Sequence, residues 1–81
     1  MDLSKNDISR LEAGDFAGLS LVTWMNLAEN PISYIDDEAF TPLISLVELI
    51  LTKTNLSYLP HDFGQNTGSM TYLDISEWKN I

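Results

Sequence analysis

Apolar residues along this chain change rhythm within a short unit, and the whole pattern restarts 24 positions later. Leu3-Ser4-Lys5-Asn6-Asp7-Ile8-Ser9-Arg10-Leu11 aligns with Leu27-Ala28-Glu29-Asn30-Pro31-Ile32-Ser33-Tyr34-Ile35, and again with Leu51-Thr52-Lys53-Thr54-Asn55-Leu56-Ser57-Tyr58-Leu59. One further step of 24 reaches Ile75, preceded by Leu73 and Met70 as Leu51 is by Leu49 and Leu46, and Leu27 by Met25 and Val22. The chain therefore reads as a single domain of about three and a half copies, divided at 1–21, 22–45, 46–69 and 70–81.

Inside a copy, Met25 and Leu27, Leu49 and Leu51, and Leu73 and Ile75 alternate with other residues, the period of a short strand with one buried face. Apolar anchors of a turning chain follow at Ile8, Ile32 and Leu56, then at Leu11, Ile35 and Leu59. The return segments 12–19 and 36–43 carry Gly14, Gly18 and Pro42, which predicts a 3₁₀ or single helical turn in each rather than a regular helix. Phe16 and Phe40 are expected to stack on that side. The third copy departs from the pattern: Phe63 comes one residue early and Thr67 stands where Leu19 and Leu43 stood. Residues 64–69 accordingly read as a weakly anchored loop, the most mobile part of the chain.

Taken together, Leu-x-x-Leu-x-Leu-x-x-Asn-x-Ile/Leu followed by a Phe and a Leu resembles the leucine-rich repeat. The length of 24 and the convex-side Phe are similar to the typical extracellular class of Toll-like receptors, variable lymphocyte receptors, small proteoglycans and neuronal adhesion proteins. The resemblance covers essentially the whole chain. It implies an α/β, right-handed solenoid with parallel strands on the concave face and short 3₁₀, helical or irregular segments on the convex face. It also implies a non-enzymatic module that recognises a protein ligand at the cell surface or outside the cell. Extracellular relatives cap their stacks with cysteine-bearing segments, and none is present here. The expectation is a fragment of a longer receptor-like or secreted protein; the alternative is a structural element whose uncapped ends pair with another copy or another protein.

If the copies stack, Asn6 and Asn30 lie where the chain leaves its strand, and their amides are expected to satisfy backbone groups of adjacent coils. Thr54, in the same place, offers one hydroxyl and should satisfy fewer. Trp78 follows in the fourth copy, where its volume and single donor are expected to interrupt the ladder, and Asn80 falls at the next apolar anchor.

Composition narrows the function. At 81 residues and 9.1 kDa the chain has one small core, and with 44% hydrophobic residues it has enough apolar material to pack. A net charge of −8 and a pI near 4.1 disfavour nucleic acid and anionic lipid as partners. The absence of cysteine removes disulfides, thiolate nucleophiles and cysteine metal sites, and the lone His61 reads as an ordinary loop histidine. No apolar run approaches the roughly 20 residues of a bilayer span. No cofactor or metal is implied.

One cluster, Asp36-Asp37-Glu38 with Glu12 and Asp15 of the neighbouring copy, has the residue types for acid–base work. It lacks the ordered oxygen spacing of a calcium loop and reads as a solvated face with one carboxylate capping the turn before Phe40. No serine, histidine and carboxylate fall at a triad-like spacing. Asn55-Leu56-Ser57 is a glycosylation sequon, so Asn55 could carry a glycan if the protein is secreted. The side chains that point out of the concave sheet follow from strand alternation: Trp24, Glu48 and Tyr72 in one row and Asn26, Ile50 and Asp74 in the next. Trp24, Ile50 and Tyr72, ringed by Asn26, Glu48 and Asp74, have the composition of a protein-binding hot spot. The other reading, equally open at this point, is that the aromatics only favour a pleated surface or pack on missing parts of the same chain.

Overall fold

The computed structural model describes residues 1–60 and 68–78, so the readings of His61, Phe63, Thr67, Asn80 and most of the 64–69 loop lie outside the described residues. Among the described residues there are five short strands: β1 (Arg10–Leu11), β2 (Trp24–Asn26), β3 (Tyr34–Ile35), β4 (Glu48–Ile50) and β5 (Tyr72–Asp74). β2, β4 and β5 form one parallel sheet in that order, with Met25 opposite Leu49 and Leu49 opposite Leu73. Every pairing is offset by 24, so the sequence period is the register of the sheet. The ladder extends beyond the strands: the Leu27 N–H donates to the Ile50 carbonyl at 2.8 Å and the Leu51 N–H to the Asp74 carbonyl at 2.8 Å. Asp2 bridges Asn26 in the same parallel sense on the other side of β2.

Alternation then decides what is buried. Met25, Leu27, Leu49 and Leu51 are fully buried, as are Ile32, Leu43 and Leu46, so the centre of the core is built from the second and third copies. Leu3, Ile8 and Leu19 from the first copy, Val22 at the start of the second, and Met70, Leu73 and Ile75 near the other end, are partly buried against it.

A second pair of strands, β1 and β3, is also parallel and also offset by 24, with Arg10 opposite Tyr34 and Leu11 opposite Ile35. The apolar anchors alone predict only a turning chain here. The β-branched and aromatic run Ile32-Ser33-Tyr34-Ile35 is the signal that favours a strand.

The return segments differ from expectation. No helix forms among the described residues; each segment is a succession of separate turns. In the first, Asp15 N–H donates to the Glu12 carbonyl, Ala17 to Gly14, Leu19 to Phe16 and Val22 to Leu19; in the second, Ala39 donates to Asp36, Thr41 to Glu38, Leu43 to Phe40 and Leu46 to Leu43. The physical reason lies in the residues that limit helix length. Gly14 and Gly18 adopt φ of 88° and 85°, outside the right-handed helical region, and Pro42 has no N–H to give. Phe16 and Phe40 stack as expected, ring centroids 5.8 Å apart and 17° from parallel.

One feature of the backbone repeats without any glycine. Lys5, Glu29, Lys53 and Glu77 all take φ between 57° and 63°, the left-handed region, at the same place in each copy. Such a conformation costs a residue with a Cβ roughly 1 kcal/mol or more. The turn it makes carries the chain out of the strand, and the next side chain points inward at Asn30, Thr54 and Trp78, all buried. Asn6, in that place in the first copy, is exposed, and its amide donates only within its own copy, to the Leu3 and Ser4 carbonyls.

Asn30 fulfils the expected role. Its Oδ1 accepts the Asn6 and Ile8 N–H groups at 3.0 and 3.2 Å, and its Nδ2 donates to the carbonyls of Leu3, Leu27 and Ala28. Thr54 does less: its hydroxyl donates to the Leu51 carbonyl at 3.2 Å and accepts a long bond from the Leu56 N–H at 3.4 Å, both within its own copy. Trp78 corrects the expectation of an interruption. Its indole Nε1–H donates to the Leu51 carbonyl at 2.7 Å, 27 residues back, and Asn30 reaches Leu3 across the same span. A large flat donor thus makes between the third and fourth copies the bond that Asn30 makes between the second and first.

Candidate functional site

The outward face of β2, β4 and β5 brings the predicted residues into two rows. Trp24, Glu48 and Tyr72 lie side by side on three adjacent strands, as do Asn26, Ile50 and Asp74. Parallel neighbours are about 4.8 Å apart, so each row is continuous. Trp24 is 36% and Tyr72 50% exposed, and Glu48 between them is half-buried. The expected patch of Trp24, Ile50 and Tyr72 is therefore resolved into an aromatic–carboxylate–aromatic row with Ile50 one row away.

The polar members of the second row have a local task. Asn26 Oδ1 accepts the Ala28 N–H at 2.9 Å, and Asp74 Oδ1 accepts the Ser76 N–H at 3.0 Å. Asp2 does the same for the Ser4 N–H at 2.9 Å and also accepts the Ser4 hydroxyl at 2.6 Å. These Asx turns close each strand by capping the residue two positions on. Ile50 occupies that place in β4 with no side chain able to cap. The Ser76 N–H holds the Asp74 carboxyl below its ordinary pKa, and the Ser4 hydroxyl and N–H do so for Asp2. Tyr72 is pushed the other way, chiefly by the charge of Asp74, whose Oδ2 accepts its hydroxyl at 3.3 Å, and also by Glu48.

The β1–β3 edge holds a different group. The Arg10 guanidinium lies 4.4 Å from the centroid of the Tyr34 ring, and its Nε donates to Glu12 at 2.7 Å. The Tyr34 hydroxyl donates to Asp36 Oδ2 at 3.3 Å. Glu12 raises the Arg10 pKa; desolvation and Asp36 raise that of Tyr34. Sequence reasoning placed no interaction at Arg10 or Tyr34, although a basic and an aromatic residue 24 apart are its signature once the register is known.

The acidic cluster does not converge on a reaction centre. Asp36 Oδ1 accepts the Glu38 N–H at 2.8 Å and Asp15 Oδ2 the Glu12 N–H at 2.8 Å, each capping a turn, while Asp37 and Glu38 are exposed. Among the described residues no group of three His, Cys, Asp or Glu side chains is placed to hold a metal ion. Asn55 is exposed at the turn after β4, its own N–H donating to the Ile32 carbonyl, and borders an open depression of about 360 Å³ with Glu29, Asn30, Pro31 and Lys53. No helix among the described residues is long and apolar enough to cross a membrane.

No protein-family model matches the chain. Similar proteins are nonetheless found. Opticin from Canis lupus familiaris is 46% identical over 55 residues, covering 68% of this chain and 17% of opticin. Human epiphycan is 37% identical over 71 residues, 88% of this chain and 21% of epiphycan. The human leucine-rich repeat-containing G-protein coupled receptor 5 is 38% identical over 60 residues, 74% of this chain and 7% of the receptor. The chain belongs to the leucine-rich-repeat family. It spans about a fifth or less of the length of these relatives. Opticin and epiphycan are secreted extracellular-matrix proteins and the receptor is a cell-surface protein, so this repeat chain belongs to the extracellular or cell-surface compartment.

Proposed function

We propose that the chain is a non-enzymatic recognition module that binds a protein ligand through the outward face of β2, β4 and β5, the concave side of a right-handed solenoid whose repeats run 1–21, 22–45, 46–69 and 70–81. The observation that carries this reading is the row Trp24, Glu48, Tyr72, which exposes two large aromatic side chains on paired strands. Aromatic residues on a rigid, solvent-facing surface give contact area at low entropic cost and dominate protein interfaces. The matched relatives, matrix proteins and a receptor, are non-enzymatic, which supports the same class.

The test uses the whole chain and an unbiased probe. A random dodecapeptide phage library is selected on the immobilised chain, and synthetic versions of the enriched peptides are titrated into ¹⁵N-labelled protein. The reading expects the largest amide shifts at 24–26, 48–50 and 72–74, and Trp24→Ala or Tyr72→Ala weakening binding by about 2 kcal/mol while leaving the fold intact. Shifts centred on the turn segments 12–22 and 36–46, or loss of folding in both variants, contradict it. In a secretory host, Asn55 carries an N-linked glycan under this reading; an Asn55→Gln variant whose mass differs only by the added methylene refutes that part alone.

A further inference from the structure

Glu48 is the side chain on the outward face that the fold leaves unexplained. It is half-buried, flanked by Trp24 and Tyr72, and makes no hydrogen bond or ion pair among the described residues. Its carboxylate oxygens are not shut away from water, so they are open to an incoming partner. Nor do the strand rows supply a cationic side chain: residues 1–4, 24–28, 48–52 and 72–76 contain Asp2, Glu48 and Asp74 and no lysine, arginine or histidine, and the Met1 α-ammonium at this edge is taken up by the Trp24 carbonyl at 2.9 Å. The face is thus a strip of negative charge with two π-systems in it, on a chain of net charge −8.

The molecule already contains a filled version of this arrangement. Tyr34-Ile35-Asp36 and Tyr72-Leu73-Asp74 share one local geometry, the tyrosine hydroxyl donating to the aspartate Oδ2 at 3.3 Å in both. On the neighbouring strand Tyr34 has Arg10, whose guanidinium covers the ring at 4.4 Å while its Nε bonds a carboxylate. Tyr72 has Glu48 as its neighbour instead, so the ring and the carboxylate are both present and the cation is what the pair would recognise.

We infer that the Trp24–Glu48–Tyr72 row takes an arginine side chain from a basic segment of a partner protein, the guanidinium stacking on an aromatic ring and pairing with the Glu48 carboxylate. The inference rests on the concave-face reading and names the chemistry of its ligand. Arginine fits better than lysine because its planar fork stacks on a ring and bonds a carboxylate at the same time, whereas an ammonium is a compact, strongly hydrated charge. Charge complementarity also steers a basic segment toward this acidic face.

The experiment titrates three nonapeptides, alike except that three positions are arginine, lysine or the neutral isostere citrulline, into the ¹⁵N-labelled full chain. The arginine peptide is expected to shift amides at 24–26, 48–50 and 72–74 and the Trp24 indole N–H, with the lysine peptide weaker and the citrulline peptide at least about tenfold weaker. Glu48→Gln, with an otherwise unchanged amide spectrum, is expected to weaken the arginine peptide about tenfold and leave the citrulline peptide unaffected. Asp37→Asn on the turn side serves as the control and should change neither. Equal binding of arginine and citrulline peptides at this face overturns the arginine inference and leaves the concave-face reading standing. Shifts from the arginine peptide centred on residues 36–38, or no shifts at the face, overturn the inference as well, and the library selection then decides the broader reading separately.

Discussion

Asn30 and Thr54 sit 24 residues apart in the same place of the same repeat, yet they join the chain to itself differently. Asn30 reaches into the preceding copy through three bonds, from Asn6 and Ile8 and to Leu3, and closes its own copy with two more. Thr54 makes two bonds among the described residues, both within its own copy. Both side chains are buried, so the difference is one of reach and valence: an amide has two donors and an acceptor oxygen on a longer stem, a hydroxyl only one donor. At the next junction, between the third and fourth copies, Trp78 fills the same place and its indole bonds Leu51. One repeat position can therefore be filled by three chemistries that tie a copy to the one before it to different extents.

This comparison is broken most severely at Asn30. Asn30→Ala removes five hydrogen bonds and leaves the Asn6 and Ile8 N–H groups without an acceptor, and it is expected to cost about 3 kcal/mol or more in urea denaturation, while Thr54→Ala costs about 1 kcal/mol. Similar losses at the two sites would refute the asymmetry. Next is Trp78, where Trp78→Phe keeps most of the apolar volume and removes the donor. A loss of about 1 to 2 kcal/mol is expected, against about 3 kcal/mol for Trp78→Ala. A neutral Phe variant would mean that the indole bond to Leu51 contributes nothing. Thr54→Asn should sharpen the comparison in the opposite direction, raising stability by about 1 kcal/mol as the new amide accepts the Asn30 and Ile32 N–H groups; a lower urea midpoint would show that the site lacks room.

The smallest effect is acid sensitivity at the strand ends. Folding lowers the Asp74 carboxyl below its ordinary value of 3.8, so its contribution is present above that value and is lost as pH falls through the lowered one. Asp74→Asn keeps an acceptor for Ser76 and removes the proton linkage, so the stability profile of the variant should flatten below about pH 4. An acid limb identical to that of the unchanged chain would contradict the assignment.

Most of the stacking was legible because the leucine spacing is the sheet register: Met25, Leu49 and Leu73 meet because they are 24 apart. The Phe16–Phe40 stack followed from the same arithmetic. The absence of helix among the described residues did not follow from apolar spacing, because the positive φ that Gly14 and Gly18 adopt is a backbone choice that spacing does not encode. The left-handed turn at Lys5, Glu29, Lys53 and Glu77 was hidden for another reason: these residues bear no glycine signature, and the position is set by the turn toward the core, not by local preference. At the face, alternation identified Trp24, Glu48 and Tyr72 as outward. That Asn26 and Asp74 are occupied in capping their own strands depended on a side-chain geometry that spacing does not encode. Trp78 was misjudged by volume because its donor direction, toward Leu51, is a property of the packed interior.

The fold and the face stand on a single juxtaposition, Glu48 between Trp24 and Tyr72. Nuclear Overhauser contacts in the ¹³C,¹⁵N-labelled chain test it directly: the account predicts cross-strand contacts from Glu48 to both Trp24 and Tyr72 in parallel register, alongside Met25 to Leu49 and Leu49 to Leu73. Contacts at any other offset, or a pattern of antiparallel strands, would contradict it.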